Sequence, residues 1–162
     1  MPTEPSGSPT PTRVITLLAL FRTATRLMVD ELVLRLHAAG YDDITPAQHL
    51  VFENIDPQGT RLTTLGQRAG ITRQSVTELT DVLAQNGYVE IRPDPTDRRA
   101  RLVVLTPAGR TLVRRALTEI AAIESAWETY FKRAGLHDDL KQVLAAALAE
   151  RGEAHGREPA IG

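Results

Sequence analysis

A chain of 162 residues that is 42% apolar and 24% charged can close one compact core, and it holds no apolar run near the roughly 18 residues a membrane-spanning helix needs. It has no cysteine, which excludes a thiol redox switch and any Cys-ligated metal and fits a reducing cytoplasm. The net charge of −1 hides an uneven spread: residues 61–115 hold ten Arg against five acids, a net +5, while residues 1–60 and 116–162 carry −3 each, the footprint of a nucleic-acid-binding module mounted on something else.

Residues 1–12, MPTEPSGSPTPT, are rich in Pro, Ser and Thr and lack the basic-then-apolar layout of a secretory signal, so a disordered tail is expected. Residues 13–39 read as one long helix stopped by Gly40, with Val14, Leu17, Leu18, Phe21, Met28, Leu32, Val33 and Leu36 at nearly helical spacing. Thr45, Pro46 and Gln48 are the N-cap, first residue and capping-box partner of a second helix, which carries Leu50, Val51 and Ile55 and ends near Asp56-Pro57. Thr63 is placed as the cap of a short third helix closed by Gly70. Thr72 caps a fourth, whose Val76, Leu79 and Leu83 recur at three- and four-residue spacing, and Gly87 takes the left-handed position after it. Two runs rich in apolar and β-branched residues, 88–91 and 102–105, flank RPDPTDRRAR, which holds too much Pro and Asp to continue a strand. Thr106-Pro107 repeats the helix-start signal for a long helix to about Ala134, with Leu112, Val113, Leu117, Ile120, Ile123, Trp127 and Phe131 apolar and Gly135 as the stop. A last helix is expected over 137–151, with Leu140, Val143, Leu144, Ala147 and Leu148 apolar and His137-Asp138-Asp139 at its start, where acids cap better than they bind a cation.

Helix, turn, helix and a hairpin make a winged helix-turn-helix, a shape that lays one helix in the DNA major groove. On the fourth helix Val76, Leu79, Thr80 and Leu83 face a core, which leaves Thr72, Arg73, Gln74, Ser75 and Thr77 to face outward at its N-terminal end. Arg suits guanine, Gln suits adenine, and Ser or Thr serves either base. The free N–H groups and positive dipole end of the helix favour phosphate. Glu78 and Asp81 repel phosphate, and Glu78 either accepts from a cytosine amine or holds Arg73 in place. Alone, these residues read more readily as a solvated helix face, since polar outer faces are the norm. The hairpin changes the balance, because Arg92 at its entry and Asp97, Arg98, Arg99 and Arg101 at or beside its tip put guanidinium groups where phosphates and a narrow minor groove lie. Asp97 is close enough in sequence to pair with Arg98 or Arg99 and fix its direction.

The string DPTDRRARLVVLTPAG, preceded by ITRQSVTELTDVLAQNGYVE, resembles the winged-helix signature of the multiple antibiotic resistance regulator (MarR) family of transcription factors. The likeness is close over the winged domain and one of layout in the flanking helices. It implies that Arg99, oriented by Asp97, is the wing's DNA-contacting pair, that the terminal helices form a dimer interface, and that the protein is a repressor. It also implies an effector cleft between the dimer helices and the winged domain, taking small aromatic acids or phenolic compounds. Where family members often place a small residue and Pro at the start of the recognition helix, this chain has Arg73 and Gln74, which bears on the operator it reads rather than on its fold.

The expected fold is therefore mainly α with a small two- or three-stranded β-wing. Its parts are a tail at 1–12, an N-terminal dimerisation helix at 13–44, a winged helix-turn-helix at 45–106, C-terminal dimerisation helices at 107–152 and a disordered tail at 153–162. The terminal helices carry more apolar surface than one small domain covers, so a second copy is the expected partner. Two recognition helices about 34 Å apart then meet successive major grooves of an inverted-repeat, pseudo-palindromic operator in double-stranded DNA. His37, Tyr41, His49, Arg22, Arg26 and Trp127 stand near the effector cleft, but none is assigned to a ligand, since such side chains sit readily at a core margin or in a pair one helical turn away. No cofactor, metal or membrane partner is expected: the four His are far apart, and there is no glycine-rich phosphate loop, G-x-S-x-G elbow or H-E-x-x-H, which leaves an enzyme little support. A winged helix used for protein contacts would dispense with the arginine-tipped wing and the basic middle.

Overall fold

The computed structural model describes residues 15–154. Its element order is α1 (Leu17–Ala38), α2 (Pro46–Phe52), β1 (Thr60–Arg61), α3 (Leu62–Ala69), α4 (Arg73–Gln85), β2 (Val89–Pro93), β3 (Arg101–Leu105), α5 (Pro107–Arg133) and α6 (Leu140–Ala154). The three strands form one antiparallel sheet in the order β1-β3-β2, with Val103 of β3 opposite Thr60 on one side and Ile91 on the other.

One core joins α1 to α5 and the sheet. Val51 of α2, Leu65 of α3, Val76 and Leu83 of α4 and Val103 of β3 are fully buried, and Leu32, Leu36, Leu112 and Ile123 extend the same cluster between α1 and α5. Each such side chain contributes about 1.5–3 kcal/mol by leaving water. The long helices are also clamped by charge: Arg35 of α1 reaches Glu31 at 2.7 Å and Glu119 of α5 at 3.3 Å, and Arg115 holds the other oxygen of Glu119 at 2.7 Å. Tyr88, at the entrance to β2, stands edge-on to Phe52 and donates to Asp43 at 2.9 Å; burial first, then this bond, pushes its phenol up to about 12.

Most punctuation signals hold. Thr45 and Gln48 make the expected capping box, the Thr45 N–H donating to Gln48 Oε1 at 2.8 Å and the Gln48 N–H to Thr45 Oγ1 at 3.4 Å. Gly70 and Gly87 take positive φ after α3 and α4. Four boundaries differ. The first helix starts at Leu17 rather than 13, because Thr16 accepts from the Ala19 N–H and caps it there. The second ends at Phe52, and Ile55 packs against the core from the turn beyond it. Thr63 is not a cap: β1 runs straight into α3, so extended Arg61 occupies the cap position without a side-chain bond and Thr63 lies inside the helix. The last helix starts at Leu140, after Asp139 has taken the N–H groups of Lys141 and Gln142 on one carboxylate oxygen, the capping role expected for that acidic start; the helix runs to Ala154, into the span expected to be a tail. The expected tail at 1–12 and residues 155–162 lie outside the described residues. Among the described residues no helix is long and apolar enough to cross a membrane.

The start of α5 is tied to the wing. Thr106 Oγ1 donates to the Gly87 and Tyr88 carbonyls at 2.6 and 3.1 Å and accepts from the Gly109 N–H at 3.0 Å. A β-carbon at Gly109 would collide with the Tyr88 carbonyl, a backbone atom with no freedom to move aside. Gly109→Ala is therefore expected to destabilise the fold by about 1–3 kcal/mol, read as a lower midpoint in chemical denaturation with an unchanged slope; an unchanged midpoint would contradict the close approach.

Candidate nucleic-acid interface

The orientation of α4 follows from what it buries. Val76, Thr80 and Leu83 have no exposed surface, and the one polar group among them is satisfied, Thr80 Oγ1 donating to the Val76 carbonyl at 2.8 Å. The opposite face, with Arg73, Gln74, Glu78 and Asp81, is exposed. Thr72 caps the helix, accepting from the Ser75 N–H at 3.1 Å and sharing a 2.8 Å bond with Ser75 Oγ, while Thr77 Oγ1 donates to the Arg73 carbonyl at 2.8 Å. The Thr72, Ser75 and Thr77 hydroxyls thus serve the helix itself. Glu78 does not hold Arg73. It accepts from Gln74 Nε2 at 2.8 Å, because residues four apart share one face. One Gln74 N–H and its carbonyl oxygen stay unbonded, in an orientation set by Glu78.

The wing tip is a tight turn. The Ala100 N–H donates to the Asp97 carbonyl at 2.8 Å, which puts Arg98 and Arg99 at its two central positions. Asp97 Oδ1 accepts from the backbone N–H of Arg99 at 3.0 Å, the Asx turn that Asp favours at such a corner. The expected carboxylate–guanidinium pair at Asp97 is therefore corrected: Asp97 shapes the turn and leaves the Arg98 and Arg99 side chains unpaired. The strand register separates the other two candidates. Arg92 pairs with Leu102 and Arg101 with Pro93, so the alternation of the ribbon sends Arg92 and Arg101 to opposite faces.

The ten arginines of the middle segment fall into two groups. Arg61, Arg68 and Arg115 are ion-paired to Asp94, Asp56 and Glu119, and Arg110 and Arg114 bond to the Leu105 carbonyl and Thr111 Oγ1. Among the described residues, the side chains of Arg73, Arg92, Arg98, Arg99 and Arg101 have no such partner. These five are the ones singled out from the sequence.

Asp94 was not. It lies at the root of the wing, 5% exposed, and is the one buried acid among the described residues. Its Oδ2 accepts from Arg61 Nε at 2.6 Å, and its Oδ1 from both the N–H and the hydroxyl of Thr96 at 2.7 Å. Asp-Pro-Thr at 94–96 is legible as an Asx turn, but the partner at Arg61, from a different strand, leaves no local signal.

An apolar crevice of about 90 Å³ lies between α1, α2 and α5, with Leu32, Leu36, Phe52, Leu112, Ala116 and Ile120 among its walls and His49 and Glu53 supplying its polar edge. His49 Nε2 is 3.3 Å from Glu53 Oε2. Of the six residues considered for an effector cleft, only His49 lines it. His37 Nε2 is bound to the Ile44 carbonyl at 2.7 Å, Arg26 pairs with Asp30 at 3.7 Å, Tyr41 and Trp127 pack on the core, and exposed Arg22 does not reach the crevice.

The Asp94 cluster has a pH signature. Thr96, through its hydroxyl and then its N–H, and next the Arg61 guanidinium hold the Asp94 carboxyl well below the usual carboxylate range, and Arg68 lowers Asp56 in the same direction. A carboxyl depressed in the folded state stabilises it fully above the unfolded value of 3.8, and that stability is lost as pH falls below it. The thermal midpoint should therefore fall on acidification below about pH 4, and fall less steeply in Asp94→Asn; parallel profiles for the two proteins would remove Asp94 as a source of acid sensitivity.

No curated protein sequence matches the chain significantly. Among solved structures, a MarR-family transcriptional regulator from Rhodococcus sp. RHA1 superposes with a TM-score of 0.67 at 19% identity, covering 85% of this chain and 94% of that one. CouR from Rhodococcus jostii RHA1, solved with p-coumaroyl-CoA, gives 0.65 at 21%, covering 82% and 89%. MepR from S. aureus, solved as a DNA complex, gives 0.63 at 19%, covering 87% and 99%. At such identities the likeness is one of fold. Residues 42–100, which hold the helix-turn-helix and the wing tip, match the MarR family model. Over that segment the chain is similar to the MarR family, and over the described residues it shares the winged helix-turn-helix fold of solved MarR-family transcriptional regulators.

Proposed function

We propose that the protein is a homodimeric repressor that binds an inverted-repeat operator, α4 in the major groove and the wing in the adjacent minor groove, and that a small aromatic or phenolic effector in the apolar crevice releases it. The observation that carries the DNA contact is the distribution of partners among the arginines. Arg61 at the sheet root, Arg68 on α3 and Arg115 on α5 are paired with carboxylates, whereas Arg73 at the N-terminus of α4 and Arg98 and Arg99 at the wing tip carry no internal counter-ion. Cations left without a counter-ion on a protruding turn and a helix start are suited to phosphates and base edges. The DNA complex of MepR and the p-coumaroyl-CoA complex of CouR, proteins of the same fold, support the two ligand classes.

Dimerisation is supported by what the fold leaves uncovered. Leu17, Leu18, Leu20 and Phe21 are exposed in the first turns of α1, Leu18 by 79%, as are Leu117 and Tyr130 on α5 and Val143 and Leu148 on α6. Among the described residues nothing covers that surface, and a second copy related by a two-fold axis covers it with itself. No catalytic role is part of this reading.

Titration of labelled duplexes from a random pool, at two salt concentrations, tests the proposal. Affinity should fall steeply as salt rises. Arg99→Ala should weaken binding about tenfold for most sequences alike and reduce the salt slope by about 1, while Arg73→Ala and Gln74→Ala should change which sequences are selected. Undiminished affinity in Arg99→Ala would remove the wing from the interface. Sedimentation should give a dimer at micromolar concentration; a monomer would contradict the assembly.

A further inference from the structure

Residues 95–99 of the wing tip are all exposed, so no apolar side chain anchors the turn that carries Arg98 and Arg99. Its position is set by polar bonds alone. The Asp94 N–H donates to the Ala100 carbonyl at 3.0 Å and closes the loop, and the Asp94 carboxylate takes the two Thr96 bonds that bend the chain after Pro95. The remaining oxygen reaches out of the wing to Arg61, which also donates from Nη2 to Thr96 Oγ1 at 3.1 Å. Arg61 stands at the junction of β1 and α3, in the cap position of the first helix of the helix-turn-helix. The bond therefore connects two parts of the DNA-facing surface that are 33 positions apart in sequence.

We infer that Asp94 is a positioning residue for DNA binding: through Arg61 and Thr96 its carboxylate fixes the wing tip to the head of α3, so that Arg99 and the recognition helix meet one duplex as a rigid pair. The inference rests on the proposed wing–DNA contact. Asp94 touches no DNA itself. Its effect on affinity passes through the tip arginines, by sparing the complex the cost of ordering a turn that has no apolar anchor. A carboxylate whose only role was to stabilise the domain would act on affinity through the folded fraction, whatever residue stood at 99.

A double-mutant cycle separates these roles. Wild type, Asp94→Asn, Arg99→Ala and the double variant are titrated against a fluorescein-labelled duplex enriched from a random pool by the wild-type protein, at a temperature where all four are folded by circular dichroism. Asp94→Asn keeps the shape but loses the charge facing Arg61. It should weaken binding about fivefold to tenfold on its own and by less than twofold in the Arg99→Ala background, the non-additivity of two residues that act on one contact. Thr96→Ala, at an exposed position, should show the same dependence on Arg99 with a smaller loss, and it carries the test if Asp94→Asn does not fold. Equal losses in both backgrounds, or no loss in either, overturn the inference while a weakened Arg99→Ala leaves the wing contact standing. An Arg99→Ala protein with wild-type affinity overturns the wing contact and this inference with it.

Discussion

Val76, Thr80 and Leu83 carry no exposed surface, and they meet Val51, Leu65 and Val103, which carry none either. This contact fixes the rotation of α4 about its axis. A helix of 13 residues has one inner stripe, and once that stripe is packed to crystal-like density its outer residues have one direction left. Arg73, Gln74 and Glu78 are on that outer side because Val76 and Leu83 are on the other. The same core holds β3, and through it the wing, so a single packing solution aims both the helix and the hairpin. Replacing any of these side chains with a smaller one would leave a cavity beneath the recognition surface and loosen its aim as well as its stability.

Charge is then allotted by position. Where an arginine approaches the body of the domain it has an acid within reach: Asp94 for Arg61, Asp56 for Arg68, Glu119 for Arg35 and Arg115. Where it stands on the helix start or the wing it has none. Surface ion pairs contribute little to stability in water, typically under about 1 kcal/mol. Their consequence here is one of selection, since a paired guanidinium has its charge answered internally and an unpaired one keeps its donors and its charge for an external anion. The acids beside the unpaired arginines fit the same scheme. Asp97 spends its oxygen on a backbone N–H and Glu78 spends one on Gln74, so each shapes a neighbour without cancelling an arginine.

Much of this was legible from short-range chemistry. Capping by Thr45, Thr72 and Thr106, the left-handed glycines at 70 and 87, and the period of Val76 and Leu83 each depend on residues within one or two turns, so the sequence displays them directly. Boundaries set by strand-to-helix continuity were less visible: Thr63 is a plausible cap until β1 is seen to run into α3 through Arg61. The wing was readable as basic, but not which carboxylate paired with which guanidinium. Asp97 was the near neighbour of Arg99, yet the ion pair of the wing root is made by Asp94 with Arg61, brought together by the pairing of β1 with β3. Charge pairing across a sheet depends on register and has no signature in local spacing. The crevice likewise draws its walls from three helices, and of the residues suspected near it only His49 belongs to it.

The central claim is that two copies of one rigid helix-and-wing unit grip a duplex. A footprint of the bound operator tests it most directly, with methylation protection reporting the major groove and hydroxyl-radical cleavage the minor. The account predicts two blocks of major-groove protection about 34 Å apart, each flanked by a minor-groove protection that disappears in Arg99→Ala. A single block, or major-groove protection with no minor-groove partner in the wild-type protein, would contradict it.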